Sequence, residues 1–199
     1  DPLDTEAPII QAEPLPTTLS PLSVTDGALL IAGTVEDTGF IDRVELQITE
    51  PEQDALLANW QKAAVAGGTF SLALSVELLR GQQGAKELQI RAVDVAGHET
   101  RARTPLEMDF AGPRFELSEP LHSPWKYPSL PLTWHSEPGA TVLVFIDSEP
   151  VEGSPWIVDG SGILNISIAL AMQITPHNLY ALATDAYGNP SAELRTEVL

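Results

Sequence analysis

One segment of this chain occurs twice, and that repetition limits what the chain can fold into. Residues 88–99 read Leu-Gln-Ile-Arg-Ala-Val-Asp-Val-Ala-Gly-His-Glu, and residues 179–190 read Leu-Tyr-Ala-Leu-Ala-Thr-Asp-Ala-Tyr-Gly-Asn-Pro. In both copies an alternating stretch leads into an aspartate, Asp94 or Asp185, and then into a glycine turn. Internal similarity of this kind is typical of a tandem array of structural units.

The entry to each unit is also similar. Asp4-Thr-Glu-Ala-Pro8 precedes the first copy, and Asp109-Phe-Ala-Gly-Pro113 precedes the second. The 199 residues are therefore predicted to form two domains, 1–110 and 111–199, with residues 1–8 as a linker. Each domain is long enough to bury its own core. Because the chain starts inside a linker-like stretch, we expect it to be a fragment of a longer protein.

Short alternating segments indicate an all-β fold. Val44, Leu46 and Ile48 alternate with polar residues, as expected for a strand with one buried and one solvated face. Proline, glycine and aspartate turn signals separate about seven such segments in each unit, which is the pattern of an immunoglobulin-like antiparallel β-sandwich. One of these predicted strands is Val151–Val158. Between Pro51 and Asn59 the pattern fits either a short helix or a long loop.

Composition excludes several functions. The net charge is −18, from 28 acidic and 10 basic residues, and such a surface repels nucleic acid and anionic membranes. Cysteine is absent, which excludes disulfides, thiolate chemistry and cysteine–zinc sites. No apolar run is long enough for a transmembrane helix, so we expect no membrane insertion within this fragment.

The order of the motifs resembles tandem bacterial immunoglobulin-like repeats of large surface and adhesin-type proteins. Asp4-Thr-Glu-Ala-Pro8 is similar to the start of such repeats. Ala183-Thr-Asp-Ala-Tyr-Gly-Asn189 is similar to their last hairpin, and Ala92–His98 matches it with histidine in place of asparagine. The resemblance implies two immunoglobulin-like sandwiches in tandem. It also implies a structural or adhesive spacer, at the bacterial cell surface or secreted, with the periplasm as the alternative compartment. The expected partners are neighbouring repeats of the same polypeptide.

No catalytic motif is present in the sequence. It contains neither a Gly-x-Ser-x-Gly elbow nor a His-Glu-x-x-His pair, and no glycine-rich phosphate loop follows a strand. The histidines are scattered, and each is expected at the surface or in a turn; they are His98, His122, His135 and His177. We therefore expect that this fragment is not an enzyme.

Acidic residues recur where the turns of a sandwich meet the incoming linker. Calcium prefers several hard oxygen ligands in flexible geometry, and relatives of this repeat type use it at their junctions. The candidate calcium ligands are Asp4, Glu36, Asp37 and Asp94 for the first unit, and Asp109, Glu137 and Asp185 for the second. The alternative is that Asp94 and Asp185 cap their own turns through hydrogen bonds to the backbone.

Exposed aromatic residues support a second interpretation of the function. Trp125 and Tyr127 lie in a proline-rich stretch and are candidate contact residues for a glycan or protein ligand. The chain would then be a carbohydrate- or protein-binding module appended to an extracellular enzyme. Trp134 and Trp156, by contrast, are predicted to pack in the core.

The glycines of the repeated turn have a conformational role in this interpretation. Gly97 and Gly188 are predicted to adopt positive φ, which glycine reaches without steric cost. Gly33 and Gly139 are predicted to serve in similar turns or bulges.

Overall fold

The structure is a computed structural model that describes residues 5–51, 59–121, 127–170 and 176–198. The chain forms two compact units, Asp1–Phe110 (unit 1) and Ala111–Leu199 (unit 2). Asp4, Trp125 and most of the segment between Pro51 and Asn59 lie outside the described residues. None of the helices in the described ranges is long and apolar enough to cross a membrane.

Unit 1 consists of strands with two short helical turns between them. The strands are β1 (Ile9–Ala12), β2 (Thr18–Leu19), β3 (Ala28–Glu36), β4 (Ile41–Thr49), β5 (Gln61–Lys62), β6 (Ala64–Ala66), β7 (Thr69–Ser75), β8 (Gln83–Asp94) and β9 (Glu99–Asp109). A 3₁₀ turn spans Pro21–Ser23, and helix α1 spans Val76–Leu79.

The strands of unit 1 form two sheets that enclose a core. One sheet has the order β1-β3-β7-β6, and the other has the order β2-β9-β8-β4-β5. The pairings are antiparallel except that of β2 with β9, which is parallel. Alternation explains the burial, because Val44, Leu46 and Ile48 of β4 are each at most 1% exposed. They pack with residues of the other sheet, including Phe70.

Unit 2 repeats this arrangement with shorter strands. They are β10 (Glu116–Leu117), β11 (Ser129–His135), β12 (Thr141–Ile146), β13 (Glu149–Pro150), β14 (Trp156–Ile157), β15 (Ile163–Ala169), β16 (His177–Thr184) and β17 (Leu194–Val198). One sheet has the order β10-β11-β15, and the other has the order β13-β12-β16-β17 with β14 also paired to β12. Trp134 is fully buried between them, and Trp156 packs against the same core.

The predicted fold class is confirmed: the chain is all-β, with antiparallel immunoglobulin-like sandwiches in series. Strand β4 has the predicted bounds, Ile41–Thr49. The single strand predicted over Val151–Val158 is wrong, because only Trp156–Ile157 of that range is a strand; the preceding strand, Glu149–Pro150, ends before it, and both pair with β12. Proline cannot donate to a sheet ladder, and Gly153, at φ 88°, bends the chain between the two pairings.

Short elements of unit 1 lack a signal in the sequence pattern. Strand β2 is two residues long, and its parallel pairing with β9 depends on residues far away in the chain. Helix α1 begins where the backbone N–H of Glu77 donates to the Ser75 hydroxyl at 3.3 Å. Serine at an N-cap is a recognised helix start, but four residues are too few for helical periodicity.

In each unit the chain enters at one end and leaves at the other. In unit 1, Ile9 pairs with Glu36, and Ile41 pairs with Asp94, so these residues share one end. We call this the entry end. Strand β9 runs from there to Asp109, which pairs with Gln83 at the start of the twelve-residue β8. At about 3.3 Å per residue, the eleven steps along β8 span roughly 36 Å.

Unit 2 has the same layout. Glu116 pairs with His135, and Thr141 pairs with Thr184, so its entry end lies beside the turns that carry Glu137 and Asp185. Its last strand ends at Val198, which pairs with His177 at the other end of β16.

Candidate functional site

The aspartate of the repeated segment organises the turn between the last two long strands of each unit. In unit 1, Oδ1 of Asp94 accepts the backbone N–H of Gly97 at 2.6 Å and that of His98 at 2.9 Å. In unit 2, Oδ1 of Asp185 accepts the backbone N–H of Tyr187 at 2.8 Å and that of Asn189 at 2.9 Å. Both carboxylates therefore cap their own turns, which is the alternative that the sequence left open.

A second residue of the turn completes each cap. Oδ2 of Asp94 lies 2.9 Å from Nδ1 of His98, and Oδ2 of Asp185 accepts Nδ2 of Asn189 at 2.8 Å. A carboxylate oxygen only accepts, so Nδ1 of His98 carries the proton. Histidine and asparagine thus place a donor nitrogen at the same point of the turn, which explains why they interchange in the repeated motif.

Glycine closes both turns in the predicted conformation. Gly97 has φ 94° and Gly188 has φ 85°, values that side chains disfavour, and Gly139 has φ 85°. Gly33 serves a different purpose, because it lies inside β3 without positive φ. A Cβ atom there would lie 2.6 Å from the ring of Phe70 and 2.4 Å from the carbonyl oxygen of Gln11. Gly33 is needed for close packing rather than for a turn.

Burial and hydrogen bonding act in opposite directions on Asp94. Its side chain is 0% exposed, and desolvation raises the pKa of its carboxyl group. The side-chain hydrogen bond from His98 and the backbone bonds from His98 and Gly97 outweigh desolvation, so the net pKa of Asp94 lies below its ordinary value. The folded state therefore holds this carboxylate in its charged form.

The predicted calcium ligands of unit 1 have different environments. Glu36 is exposed at the end of β3, and Asp94 is occupied by its turn. Both carboxylate oxygens of Asp37 are buried and accept no hydrogen bond from the described residues. Asp37 lines a groove of about 570 Å³ at the entry end, together with Glu36 and Phe40. Within the described ranges, no three carboxylate or histidine side chains converge on one metal position. Calcium in unit 1 stays a prediction.

The candidates expected at the second junction do not all belong to unit 2. Asp109 is the last residue of β9, at the end of unit 1 opposite Asp94, rather than in a linker. The next residue, Phe110, is buried in the core of unit 1, and its N–H donates to the carbonyl of Gln82 at 2.8 Å. Glu137 is exposed in the turn after β11, and Asp185 lies in the capped turn.

One histidine differs from its prediction. His177 is only 7% exposed, and its Nδ1 lies 2.6 Å from Oδ2 of Asp147. Oδ1 of Asp147 accepts the backbone N–H of Asn178 at 2.8 Å. That backbone bond, and then the bond from His177, lower the pKa of Asp147 against the desolvation that would raise it. The pair joins the β12–β13 turn to the start of β16, and we assign it a structural role on that ground.

The structure leaves the role of the aromatic candidates Trp125 and Tyr127 a prediction. Trp125 lies outside the described residues, and Tyr127 is 66% exposed just before β11. Sequence reasoning missed a different aromatic pair. Phe145 of β12 and Tyr180 of β16 are cross-strand neighbours with ring centroids 5.6 Å apart. The guanidinium of Arg195 lies 5.2 Å from the Tyr180 ring centroid.

A sequence signal for this pair exists. Residues 141–146 read Thr-Val-Leu-Val-Phe-Ile, whereas β4 of unit 1 alternates polar and apolar residues. A strand that is apolar on both faces requires cover on both faces. Tyr180 also donates its hydroxyl to Oε1 of Glu193 at 3.2 Å. Desolvation, and then the charge and hydrogen bond of Glu193, raise the pKa of Tyr180.

Solved structures with similar folds are modular proteins. Fibronectin type III-like modules of Clostridium thermocellum CbhA match with 14% identity and a TM-score of 0.37, over 96% of this chain and 93% of theirs. A bacterial ice-binding adhesin matches with 15% identity and a TM-score of 0.41, over 96% of this chain and 62% of its own. An I-band fragment of titin matches with 16% identity and a TM-score of 0.47, over 98% of this chain and 65% of its own.

The chain thus spans less than two thirds of the adhesin and titin chains that it matches. At these identities the likeness concerns only the type of fold, immunoglobulin-like or fibronectin-like modules in tandem. No protein-family model matches the sequence. No curated protein matches it either.

The equivalence of His98 and Asn189 gives the first prediction. His98→Asn should change the free energy of unfolding by no more than about 0.5 kcal/mol, because asparagine already makes this bond in unit 2. Asn189→Ala should cost about 1.5–3 kcal/mol, the usual scale for a hydrogen bond to a charged group. Urea unfolding of the full chain measures both. An equal loss in the two variants would contradict the equivalence.

The second prediction concerns pH. Because the folded state lowers the pKa of Asp94, the stability it contributes is present above the ordinary carboxyl value of 3.8 and is lost as pH falls through the lower folded-state value. The difference in unfolding free energy between wild type and Asp94→Asn should therefore be largest near neutral pH and shrink below about pH 4. Urea titrations at several pH values measure it, with Asp26→Asn as an exposed control. A difference that grows as pH falls below about 4 would have the wrong sign.

Proposed function

We propose that this chain is a non-catalytic structural or adhesive spacer within a larger secreted or cell-surface protein of bacterial type. The observation that carries this proposal is the path of the chain through each unit. Strand β1 begins at the entry end of unit 1, and β9 leaves at the opposite end. Unit 2 repeats that path from β10 to β17. A unit with opposite entry and exit adds length to an array, which is what a spacer requires.

Neighbouring repeats are the proposed partners, and the entry end of unit 1 supports them. Phe40 is 79% exposed there, and Val95 is 53% exposed. The N–H of Val95 donates to the carbonyl of Phe40 at 2.9 Å, so the two residues lie side by side. Exposed apolar side chains gathered in one place commonly mark a contact surface. A preceding repeat docked at this end would cover them.

The pairing of β2 with β9 suits unit 1 to carry load. These strands are parallel, with Thr18 beside Glu107 and Leu19 beside Met108. When the ends of the unit are pulled apart, two parallel strands near opposite ends of its sequence slide along each other. Their hydrogen bonds are then loaded together, in shear, rather than broken one after another. Among the described residues of unit 2, every strand pairing is antiparallel.

The third prediction tests this role by single-molecule force spectroscopy on the full chain. Pulling from the two ends should give two unfolding events, because each unit has its own buried core. The event of unit 1 should need the higher force, because β2 and β9 form the only parallel pair among the described strands, and that pair is loaded in shear.

Matched core substitutions assign the two events. Phe70→Ala should weaken only the event of unit 1, and Trp134→Ala only that of unit 2, each through a cavity that costs about 3–5 kcal/mol. A single unfolding event, or a stronger unit 2, would contradict the proposed mechanical role.

Calcium at the entry end of unit 1 is part of the proposal, and Asp37 supports it. A buried carboxylate without a partner among the described residues is costly, and a bound cation would offset that cost. The hydrogen bonds of Asp94 leave it as the cap of its turn, so Asp37 is the stronger candidate ligand of the two. Any further ligands would come from exposed Glu36, the backbone, water or Asp4.

The fourth prediction is a thermal comparison in millimolar Ca²⁺ and in chelator. Calcium should raise the melting temperature of the wild type. At a calcium concentration one hundred times the Kd, the free energy of unfolding should rise by about 2.7 kcal/mol. Asp37→Asn should abolish that gain. In chelator the same variant should melt higher than wild type, because it removes an unpaired buried charge.

Asp26→Asn serves as the control, since Asp26 is exposed in a turn with φ 50°, which asparagine also tolerates. It should keep the full calcium gain. If the wild type melts equally in calcium and chelator, or if Asp37→Asn melts lower in chelator, the cation proposal is wrong.

A further inference from the structure

Equivalent outward sheet faces of the two units carry different chemistry. In unit 1, Gln47 of β4 faces Gln89 of β8, and Nε2 of Gln47 donates to Oε1 of Gln89 at 3.1 Å. In unit 2, the same two places relative to the repeated aspartate hold Phe145 and Tyr180. The cross-strand pair is therefore amide on amide in one unit and ring on ring in the other.

The neighbouring cross-strand pair shows the same contrast. In unit 1, Oε2 of Glu45 accepts Nε of Arg91 at 2.8 Å, and the Arg91 guanidinium lies 4.5 Å from the centroid of the Trp60 ring. The corresponding pair in unit 2 is Leu143 with Leu182. These apolar side chains face outward, because Val142, Val144, Ala181 and Ala183 fill the inward positions and are buried.

The apolar band of unit 2 continues across the sheet and ends at a charged group. Phe145 pairs with Pro150 on one side, and Tyr180 pairs with Arg195 on the other. Arg195 is held in place by Glu193, with Nη2 at 2.8 Å and Nε at 3.0 Å from the same carboxylate oxygen. We call this row the aromatic band: Pro150, Phe145, Tyr180 and Arg195.

A groove of about 640 Å³ lies along the aromatic band. Besides Phe145, Tyr180 and Arg195, it is lined by the exposed polar side chains of Asn178 and Glu197. Asn178 and Glu197 are themselves cross-strand partners. The groove is thus lined by two aromatic rings and by both donors and acceptors, and its volume is within the size range of small-ligand sites.

We propose that this groove of unit 2 binds a neutral oligosaccharide. A sugar ring has an apolar face of C–H groups and a rim of hydroxyls that both donate and accept. The rings of Phe145 and Tyr180 match the apolar face. The amide of Asn178 and the guanidinium of Arg195 can donate to the rim, and the carboxylate of Glu197 can accept from it.

Charge favours a neutral ligand over an anionic one. The chain carries a net charge of −18, and Glu193 already neutralises Arg195. Glu197 leaves the groove with negative charge, which repels sulfated or carboxylated sugars. Tyr180 and Arg195 both hydrogen-bond to Glu193, and such contacts lower the entropic cost of ordering these side chains on a ligand.

The fifth prediction uses the full chain and a panel of neutral oligosaccharides: cellohexaose, xylohexaose, mannohexaose and laminarihexaose. In an ¹H–¹⁵N NMR titration, at least one sugar should shift the amide signals of residues 143–145, 178–182 and 194–197. A concentration of about 10 mM reveals even a millimolar Kd. The double variant Phe145→Gln/Tyr180→Gln should raise the Kd for that sugar by a factor of at least about ten.

The double variant introduces the two glutamines that unit 1 has at the equivalent positions, Gln47 and Gln89. We therefore expect the sheet of unit 2 to fold with them. The matched control is Gln47→Ala/Gln89→Ala, which should leave the affinity unchanged. If the double variant unfolds, Arg195→Gln replaces it as the test and should weaken binding several-fold.

Three results would overturn the proposal. The first is that no sugar of the panel shifts any signal at about 10 mM. The second is that the shifts map elsewhere, including around Tyr127. The third is that the wild type dimerises with concentration and the double variant does not, in which case a second copy covers the band. The force experiment measures unfolding and not sugar binding. A negative sugar titration therefore does not test the spacer proposal.

Discussion

The carboxylates of Asp94 and Asp185 each collect the N–H groups of a turn that has few other acceptors. Each turn joins the two strands that cross the full height of one sheet, so its shape sets the register of that pairing. In unit 1 the same turn lies beside Ile41 and so beside the β3–β4 loop. A change in the cap therefore acts on the last hairpin and on the whole entry end. This dependence explains why an aspartate, a glycine and a donor residue recur together in both units.

The sequence predicted what depends on local pattern. Alternation in Arg43–Ile48 indicated the bounds of β4, and the positive φ of Gly97 followed from its turn. Features that depend on residues far away in the chain could not be predicted from the local sequence pattern. Nothing local in Thr18 and Leu19 indicates a parallel partner near Met108, and nothing in Gly33 indicates the ring of Phe70. The sequence pattern groups Asp109 with the entry to unit 2 by analogy with Asp4, whereas its pairing with Gln83 makes it the last residue of β9.

The carboxylates near the entry end show why residue type alone did not identify a metal site. Asp94 and Asp37 both have buried carboxylate oxygens at the entry end of unit 1 and look alike in the sequence. The oxygens of Asp94 are used by Gly97 and His98, whereas those of Asp37 accept nothing from the described residues. The first is stabilised by the protein itself and the second requires something else. A carboxylate whose oxygens already accept hydrogen bonds is a turn cap, and one whose oxygens accept none is a candidate metal ligand. Only the three-dimensional structure distinguishes the two.

Duplication supplies an internal reference for function. Because both units use one scaffold, positions that keep the fold must agree in chemistry, and positions free of that constraint can differ. The inward residues agree, since both units bury small and branched apolar side chains there. The outward residues of β4 and β12 differ, with a polar ladder in one and the aromatic band in the other. Solubility favours the polar ladder on an exposed face, and packing within unit 2 does not require the band. A tilted pair of rings that lies outside the core, beside an arginine, is the feature that the proposed oligosaccharide site would explain.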